Sequence, residues 1–331
     1  MQSNDPLLQP FQLKHLTLRN RVFSSSHEPA YSEDGMPKDR YRLYHVEKAK
    51  GGVGMTMTAG SAVVSPDSPP AFGNLHAYSD EIVPWLRRLT DDVHEHGAAC
   101  MIQITHLGRR TGWGQDDWLP VLAPSPLREP AHRAIPKQAE DWDIERIIGE
   151  FADAAERMKA GGMDGLELEA YGHLFDQFWS PLTNTRDDEW GGSLENRMRF
   201  LVEALEEIRR VVGYDFCVGI RLPNEEYIPG GLTPHDNAEI ANIFKAIGEL
   251  TDERQAEASK VLIDVRQALV SDEHAVSLAP ALKEAQAKAV RLLTKSSPSA
   301  PAILFSGGRF PIGHTGDGPF FVRGVRMARF K

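Results

Sequence analysis

Cysteine is almost absent from this chain: two residues, Cys100 and Cys217, stand among 331. Both lie in apolar, strand-like runs, so buried reduced thiols are expected rather than a disulfide framework. Two thiols also fall short of the roughly four that a Cys-ligated iron–sulfur cluster needs. Long hydrophobic runs are missing as well, and none nears the ~20 residues that cross a bilayer. The N-terminal MQSNDPLLQPFQL has neither the basic nor the apolar stretch of a secretory signal, which sets a cytoplasmic expectation. Positive charge is in deficit. With 37 Lys and Arg against 47 Asp and Glu, the formal net charge of -10 argues against nucleic acid or an anionic membrane as partner. The histidines are scattered without zinc spacing, so no metal is expected. No strand-like run is followed by Gly-x-Gly-x-x-Gly, and the dinucleotide-binding fold loses ground.

What is present is an alternation of short β-rich runs and helical stretches, the signal of parallel β/α architecture. The runs are Arg21–Ser26, Val53–Thr58, Ala99–Thr105, Gly165–Glu169 and Phe216–Leu222. Between them, Ile82–His96, Ile144–Ala160 and Arg197–Val212 carry apolar residues at a period near 3.6. Glycine marks each helix-to-strand junction, at Gly51-Gly52, Gly97, Gly161-Gly162 and Gly213, which suits a helix C-cap. Strands apolar on both faces and long loops after them favour a barrel with its site at the strands' C-terminal ends. The length allows one large domain with an appendage.

The pattern changes after Gly248. Thr251–Lys295 is rich in Ala, Glu and Lys, with apolar stripes at Val261, Leu262, Val265, Leu269 and at Leu282, Ala285, Ala289, Leu293. These spacings predict a helical hairpin where a sixth barrel strand should follow. Only Ala302–Ser306 looks like one more strand. The expected organisation is therefore a barrel region, 1–247, and a divergent helical segment with a glycine-rich basic tail, 248–331.

Two stretches carry a family signal. One is HGAACMIQITHLGRR from His96. The other, GGMDGLELEAYGHLFDQFWSPLTNTRDDEWGGSLENRMR from Gly161, contains the very specific string SP-x-x-N-x-R-x-D-x-x-GGS-x-ENR. With LKHLTLRNRV and GIRL in the same order, the chain resembles the Old Yellow Enzyme family of flavin oxidoreductases over residues 5–247. Within it, the chain looks most like the branch of trimethylamine dehydrogenase, dienoyl-CoA reductase and N-methyl amino-acid demethylases. The resemblance implies a TIM (β/α)8-type barrel, incomplete or altered in its C-terminal part, holding FMN across the strands' C-terminal mouth.

The same resemblance suggests a site. Gln103 is placed to donate to and accept from the flavin's pyrimidine edge, and Arg221 to stabilise the anionic reduced ring near N1 and O2. Without the motif, a capped strand end and a barrel-mouth ion pair explain them as well. Ser25, Ser26 and His27, with Ala59 and Gly60, line the flavin by backbone or small side chains. Glu28 stands where relatives carry a flavin-linked cysteine, so FMN is expected to be non-covalent. Gly308 and Arg309, in a Ser306–Arg309 turn, are candidates for a remnant of the seventh-strand phosphate loop.

On the substrate side, Leu168 and Tyr171 are matched to a histidine-containing carbonyl clamp, which is then missing. His173 is left as general base or polar orienter, with Tyr171 beside it. Loss of the clamp favours hydride transfer from an N-methyl carbon to flavin N5 over alkene reduction. Trp113, Trp118, Tyr171 and Trp179 are candidates for an aromatic cage, and core packing explains any one of them equally. Asn184, Arg186, Glu195, Asn196 and Arg197 are assigned to fixing the loop. NAD(P)H is one electron donor open to such an enzyme; a redox partner or a second copy of the chain is another kind of contact it allows. The rival from a different class is a flavin-free, non-catalytic barrel fragment whose helical tail binds a partner.

Overall fold

The computed structural model describes residues 4–68, 73–111, 119–131, 133–248 and 303–306. Its elements are β1 (Phe11–Leu13), β2 (Leu16–Leu18), β3 (Phe23–Ser24), α1 (Asp39–Lys50), β4 (Met55–Val63), α2 (Ile82–Glu95), β5 (Ala99–Thr105), β6 (Leu122–Ala123) and β7 (Lys137–Gln138). They continue with α3 (Asp141–Ala160), β8 (Gly165–Glu169), α4 (Leu174–Trp179), α5 (Leu194–Val212), β9 (Cys217–Pro223), α6 (Pro234–Gly248) and β10 (Ile303–Ser306). A short 3-10 turn, Pro6–Leu8, precedes them.

Six strands form one parallel sheet in the order β10-β9-β8-β5-β4-β3. Chain order and spatial order run together, with no reversal. A doubly wound sheet reverses at its switch point, whereas a barrel adds each strand beside the last. The barrel expectation is met, and the sheet's helices account for the five β/α units read from the pattern.

The alternation of side chains divides the sheet into two faces. Cys100, Ile102, Ile104, Leu166, Leu168, Val218, Ile220 and Leu222 pack outward with the helices in the main core. There Phe151 of α3, Phe175 and Phe178 of α4 and Phe200 of α5 meet with centroids 4.7–4.9 Å apart along the chain Phe151–Phe175–Phe200–Phe178, each such pair contributing about 0.5–1.5 kcal/mol. On the inner face Met55, Met57, Met101 and Cys217 form a separate apolar layer with Leu18. The antiparallel β1–β2 hairpin closes this end, packing Phe11, Leu13 and Leu16 against it.

The helix bounds extend the sequence reading. α3 starts three residues earlier than expected because the Asp143 carboxylate accepts the Glu140 N–H at 2.9 Å and the Lys137 ammonium at 2.7 Å. α5 begins behind Ser193, whose hydroxyl accepts the Asn196 N–H at 3.2 Å. α1 and α6 carry no expectation from periodicity. α1 buries only Tyr41, His45, Val46 and Ala49 and is otherwise charged, so its apolar stripe is thin. The strand expected at Ala302–Ser306 is present as β10, in parallel register with β9 from Ile303↔Ile220 to Ser306↔Pro223. It stands at the sixth place of the sheet rather than the seventh. The expected hairpin at Thr251–Lys295 lies outside the described residues, as do Gly308 and Arg309.

Candidate active site

The polar residues of the inner face gather at the strands' C-terminal ends. Gln103 of β5, Glu167 and Glu169 of β8, and Arg221 of β9 all point inward by alternation. Gln103 Nε2 donates to Glu167 at 2.6 Å and to Glu169 at 2.5 Å. Arg221 Nε donates to Glu167 at 2.9 Å and lies 3.5 Å from Glu169. Two carboxylates facing one amide decide its orientation: the NH2 end turns toward them, and the amide oxygen is the end left for another partner. Burial pushes Glu169 up to about 8, opposed by Arg221 and reinforced by Glu167. Burial also raises Glu167, although Arg221, Gln103 and Ser26 pull it back. At neutral pH a protonated Glu169 thus stands beside the Arg221–Glu167 contact. Arg221 Nη2 and Glu167 Oε2 are buried without a hydrogen-bond partner among the described residues. Nη2 does approach Glu167 to 2.9 Å. That contact carries charge attraction but not the alignment of a hydrogen bond. An orphan guanidinium N–H next to a sheet mouth fits an electronegative cofactor edge, as the resemblance to flavin barrels implies.

The neighbouring rim comes from β3 and β4. Ser26 hydrogen-bonds Glu167, Ser25 is half-buried and His27 is exposed. In β4 the register with β5 shifts between Thr58 and Ala62. There Ala59 and Ser61 adopt positive φ, 52° and 97°. The Tyr41 hydroxyl accepts the Ala59 N–H at 2.6 Å and holds this strained turn. A Cβ on Gly60 would lie 2.5 Å from the Glu28 backbone nitrogen, so only glycine lets the two loops touch. Glu28 is pushed up to about 7 by burial, against backbone N–H groups of Ala30 and Gly60.

His173 and Tyr171 occupy the loop after β8. His173 is buried, and its Nδ1 lies 2.7 Å from the Thr105 hydroxyl. Burial, with Arg110 and His106 nearby, brings it down to about 3. A neutral imidazole of that basicity is a poor proton acceptor at neutral pH, so the geometry suits the orienting role better than the basic one. The half-buried Tyr171 donates its backbone N–H to Glu169 at 2.9 Å. Leu168, matched in the sequence to a position of the missing clamp, packs in the outer core, and the inward residue at this strand end is Glu169. Trp179 is fully buried and donates to Asp176 at 2.8 Å, so it is core rather than cage. Trp113 and Trp118 lie outside the described residues.

The surrounding loops are held by polar networks. Asn184 donates to the carbonyls of Phe178 and Trp190, Arg186 to Pro124 and Ala139, and Arg197 to Trp179. These contacts fit their assignment as loop-fixing groups. A buried His106 Nε2 lies 2.8 Å from Asp67, which also meets Arg146 and Ser65. Burial pushes Asp67 up, yet His106, Ser65 and Arg146 together hold it well below the usual carboxylate range. The sequence reading missed Glu167, Glu169, Asp67 and Arg146. For the two glutamates a signal existed: Leu166 and Leu168 face the helices, so Glu167 and Glu169 must face Gln103. Asp67 and Arg146 are 79 residues apart and had no local signal.

Among the described residues no helix is long and apolar enough to cross a membrane, and no metal-binding group of His, Cys, Asp and Glu occurs. A model of the NADH:flavin oxidoreductase / NADH oxidase family matches residues 6–297. The chain is 66% identical over 245 residues to a probable N-methylproline demethylase of Rhizobium meliloti (strain 1021). It is 48% identical over 247 residues to an N,N-dimethylglycine/sarcosine dehydrogenase of Chromohalobacter salexigens. Each alignment covers 74% of this chain but 36% of the relative, so the chain spans about a third of the length of these relatives. Among solved structures, morphinone reductase in complex with tetrahydroNAD superposes with a TM-score of 0.67 at 26% identity, covering 74% of this chain and 71% of the other.

Proposed function

The chain belongs to the NADH:flavin oxidoreductase / NADH oxidase family, and from that premise we propose that residues 1–247 bind FMN non-covalently and oxidise the N-methyl group of an amino acid. The observation that carries the flavin part is the orphan Arg221 Nη2 beside the amide that Glu167 and Glu169 orient. Arg221 and Gln103 would hold the ring's pyrimidine side, and the turn Ala59–Ser61 with Ser25 and Ser26 would lie along it. When bound, the flavin supplies the hydride acceptor. The protein's part is to bind the amine, exclude water and keep the N-methyl carbon oriented.

Support for the substrate class comes from the strand end after β8. Glu169 is protonated at neutral pH and tied to Gln103 and to the Tyr171 N–H, and His173 is neutral and tied to Thr105. Neither is the histidine-containing pair that grips a carbonyl oxygen in many family members, which disfavours enone reduction. The relatives' names, a probable N-methylproline demethylase and an N,N-dimethylglycine/sarcosine dehydrogenase, support the same class. NAD(P)H as electron source and a redox partner or second copy of the chain are further proposals.

The test is anaerobic mixing of the purified chain with N-methylproline, followed by absorbance near ~450 nm and by formaldehyde release. Bleaching with stoichiometric formaldehyde is expected. A colourless chain that FMN cannot reconstitute would instead favour the flavin-free fragment.

A further inference from the structure

Two consecutive arginines close the turn after β5, and among the described residues only Arg109 is hydrogen-bonded through its side chain. Arg109 is committed: its Nη1 donates to Leu127 O at 2.9 Å, and its backbone N–H donates to the Gln177 amide oxygen at 3.0 Å. Arg110 is half-buried, and among the described residues its side chain has no hydrogen bond and no carboxylate within 4.0 Å. Its one directional contact is with the Tyr171 ring, 5.8 Å from the guanidinium carbon to the ring centroid.

The backbone makes room for that guanidinium. Gly172 adopts φ +72°, and a Cβ built there would lie 2.1 Å from Arg110 Nη1 and 3.2 Å from its central carbon. The Gly172 turn is itself held, its N–H donating to Asp176 at 2.8 Å. Nearby carboxylates are occupied elsewhere. Glu169 meets Gln103, Arg221 and the Tyr171 N–H. Asp176 takes the N–H groups of Gly172 and Trp179. A permanently charged fork thus lies over Gly172 at the sheet mouth, its donors uncommitted among the described residues and only its charge felt by Glu169 and Asp176. A planar guanidinium in such a place matches a carboxylate in bidentate fashion.

We propose that Arg110 is the receptor for the substrate's carboxylate, seating the acid group of an N-methyl amino acid against Tyr171 while its N-methyl group faces the Gln103–Arg221 end. This rests on the amino-acid oxidation proposed above and adds what would separate amino acids from simple amines. The run Arg110–Tyr171–Glu169–Gln103 is continuous, so the two ends of a small amino acid are served from one side of the mouth.

The test compares pyrrole-2-carboxylate, a carboxylate with no N-methyl group to lose, with N-methylpyrrolidine, an amine without a carboxylate. Each is titrated calorimetrically into the full chain and into Arg110→Met and Arg110→Lys. Flavin content and circular dichroism verify that both variants fold. Arg110→Met should weaken the carboxylate roughly ten- to a hundredfold, the span of a lost charge-assisted contact. Arg110→Lys should fall between, and N-methylpyrrolidine should not change. Equal carboxylate affinity in wild type and Arg110→Met, or none in either, overturns the assignment. Arg110-dependent carboxylate binding without any N-methylproline oxidation would leave the receptor standing and remove the demethylase reading. Oxidation with a KM untouched by Arg110→Met would do the reverse.

Discussion

The two ends of the barrel interior are built by the same strands, often two residues apart, and obey different rules. At the N-terminal end Met55, Met57, Met101 and Cys217 fill space under the β1–β2 hairpin, and any well-shaped apolar group would serve. At the C-terminal end Gln103, Glu167, Glu169 and Arg221 are each oriented by the others, and removing one exposes the rest. The step from Met101 to Gln103, or from Cys217 through Gly219 to Arg221, crosses from a layer specified by volume to one specified by partner. The first stabilises the fold. The second keeps buried donors uncommitted, a stability cost that a bound ligand can offset.

Substitutions at the two ends should separate these roles. Arg221→Ala should act most strongly, since it takes from the buried Glu167 the cation that pairs with it. A loss of about 3–5 kcal/mol is expected, read by urea melts, together with loss of bound flavin; a variant that keeps wild-type flavin affinity would erase the distinction. Met57→Ala, at the opposite end, should cost about 2–5 kcal/mol through its cavity while flavin titration stays unchanged. Weakened flavin binding there would mean that the two layers are coupled.

The smallest effect concerns pH. Glu169 rises from its ordinary 4.5 to about 8, so the native state holds a proton that the unfolded chain releases. Its contribution to stability is complete below about 4.5 and is lost as pH rises through about 8. Glu28 and Asp176, both raised to about 7, titrate with the same sign, whereas His173, lowered to about 3, acts only below about 6.5. The difference between wild type and Glu169→Gln is therefore the quantity to read. Urea midpoints between pH 6.5 and 9 should fall more steeply for wild type, and parallel curves would show that Glu169 is ionised throughout.

Much of this was legible in the sequence, and the exceptions have physical reasons. Strands β5 and β8 match their expected bounds because apolar runs between glycine junctions leave little freedom. α1 escaped because a helix covering a sheet edge needs few apolar residues, and His45, bonded to Thr56 at 2.8 Å, fills one of those places. Gln103 and Arg221 came from the family resemblance and do share one cluster. Glu169 was hidden by aligning a motif rather than following the pleat, which put Leu168 in its place. The Asp67–His106–Arg146 network joins two loops and helix α3, distant in the chain, and no local pattern announces such a meeting.

The hairpin over the apolar floor has a further consequence, in reactivity. Cys217 lies beneath it, its thiol 3.9 Å from the Leu13 carbonyl, and burial pushes its pKa up to about 11. At neutral pH the thiolate fraction is then on the order of one part in ten thousand, so the native thiol is nearly inert to alkylation. Cys100 faces the opposite way, into the helices, and burial raises it well above the ordinary thiol range. The two cysteines thus sit on opposite sides of one sheet as chemical clocks. Cys217 is labelled when the hairpin lifts, and Cys100 only when the helical layer parts from the strands.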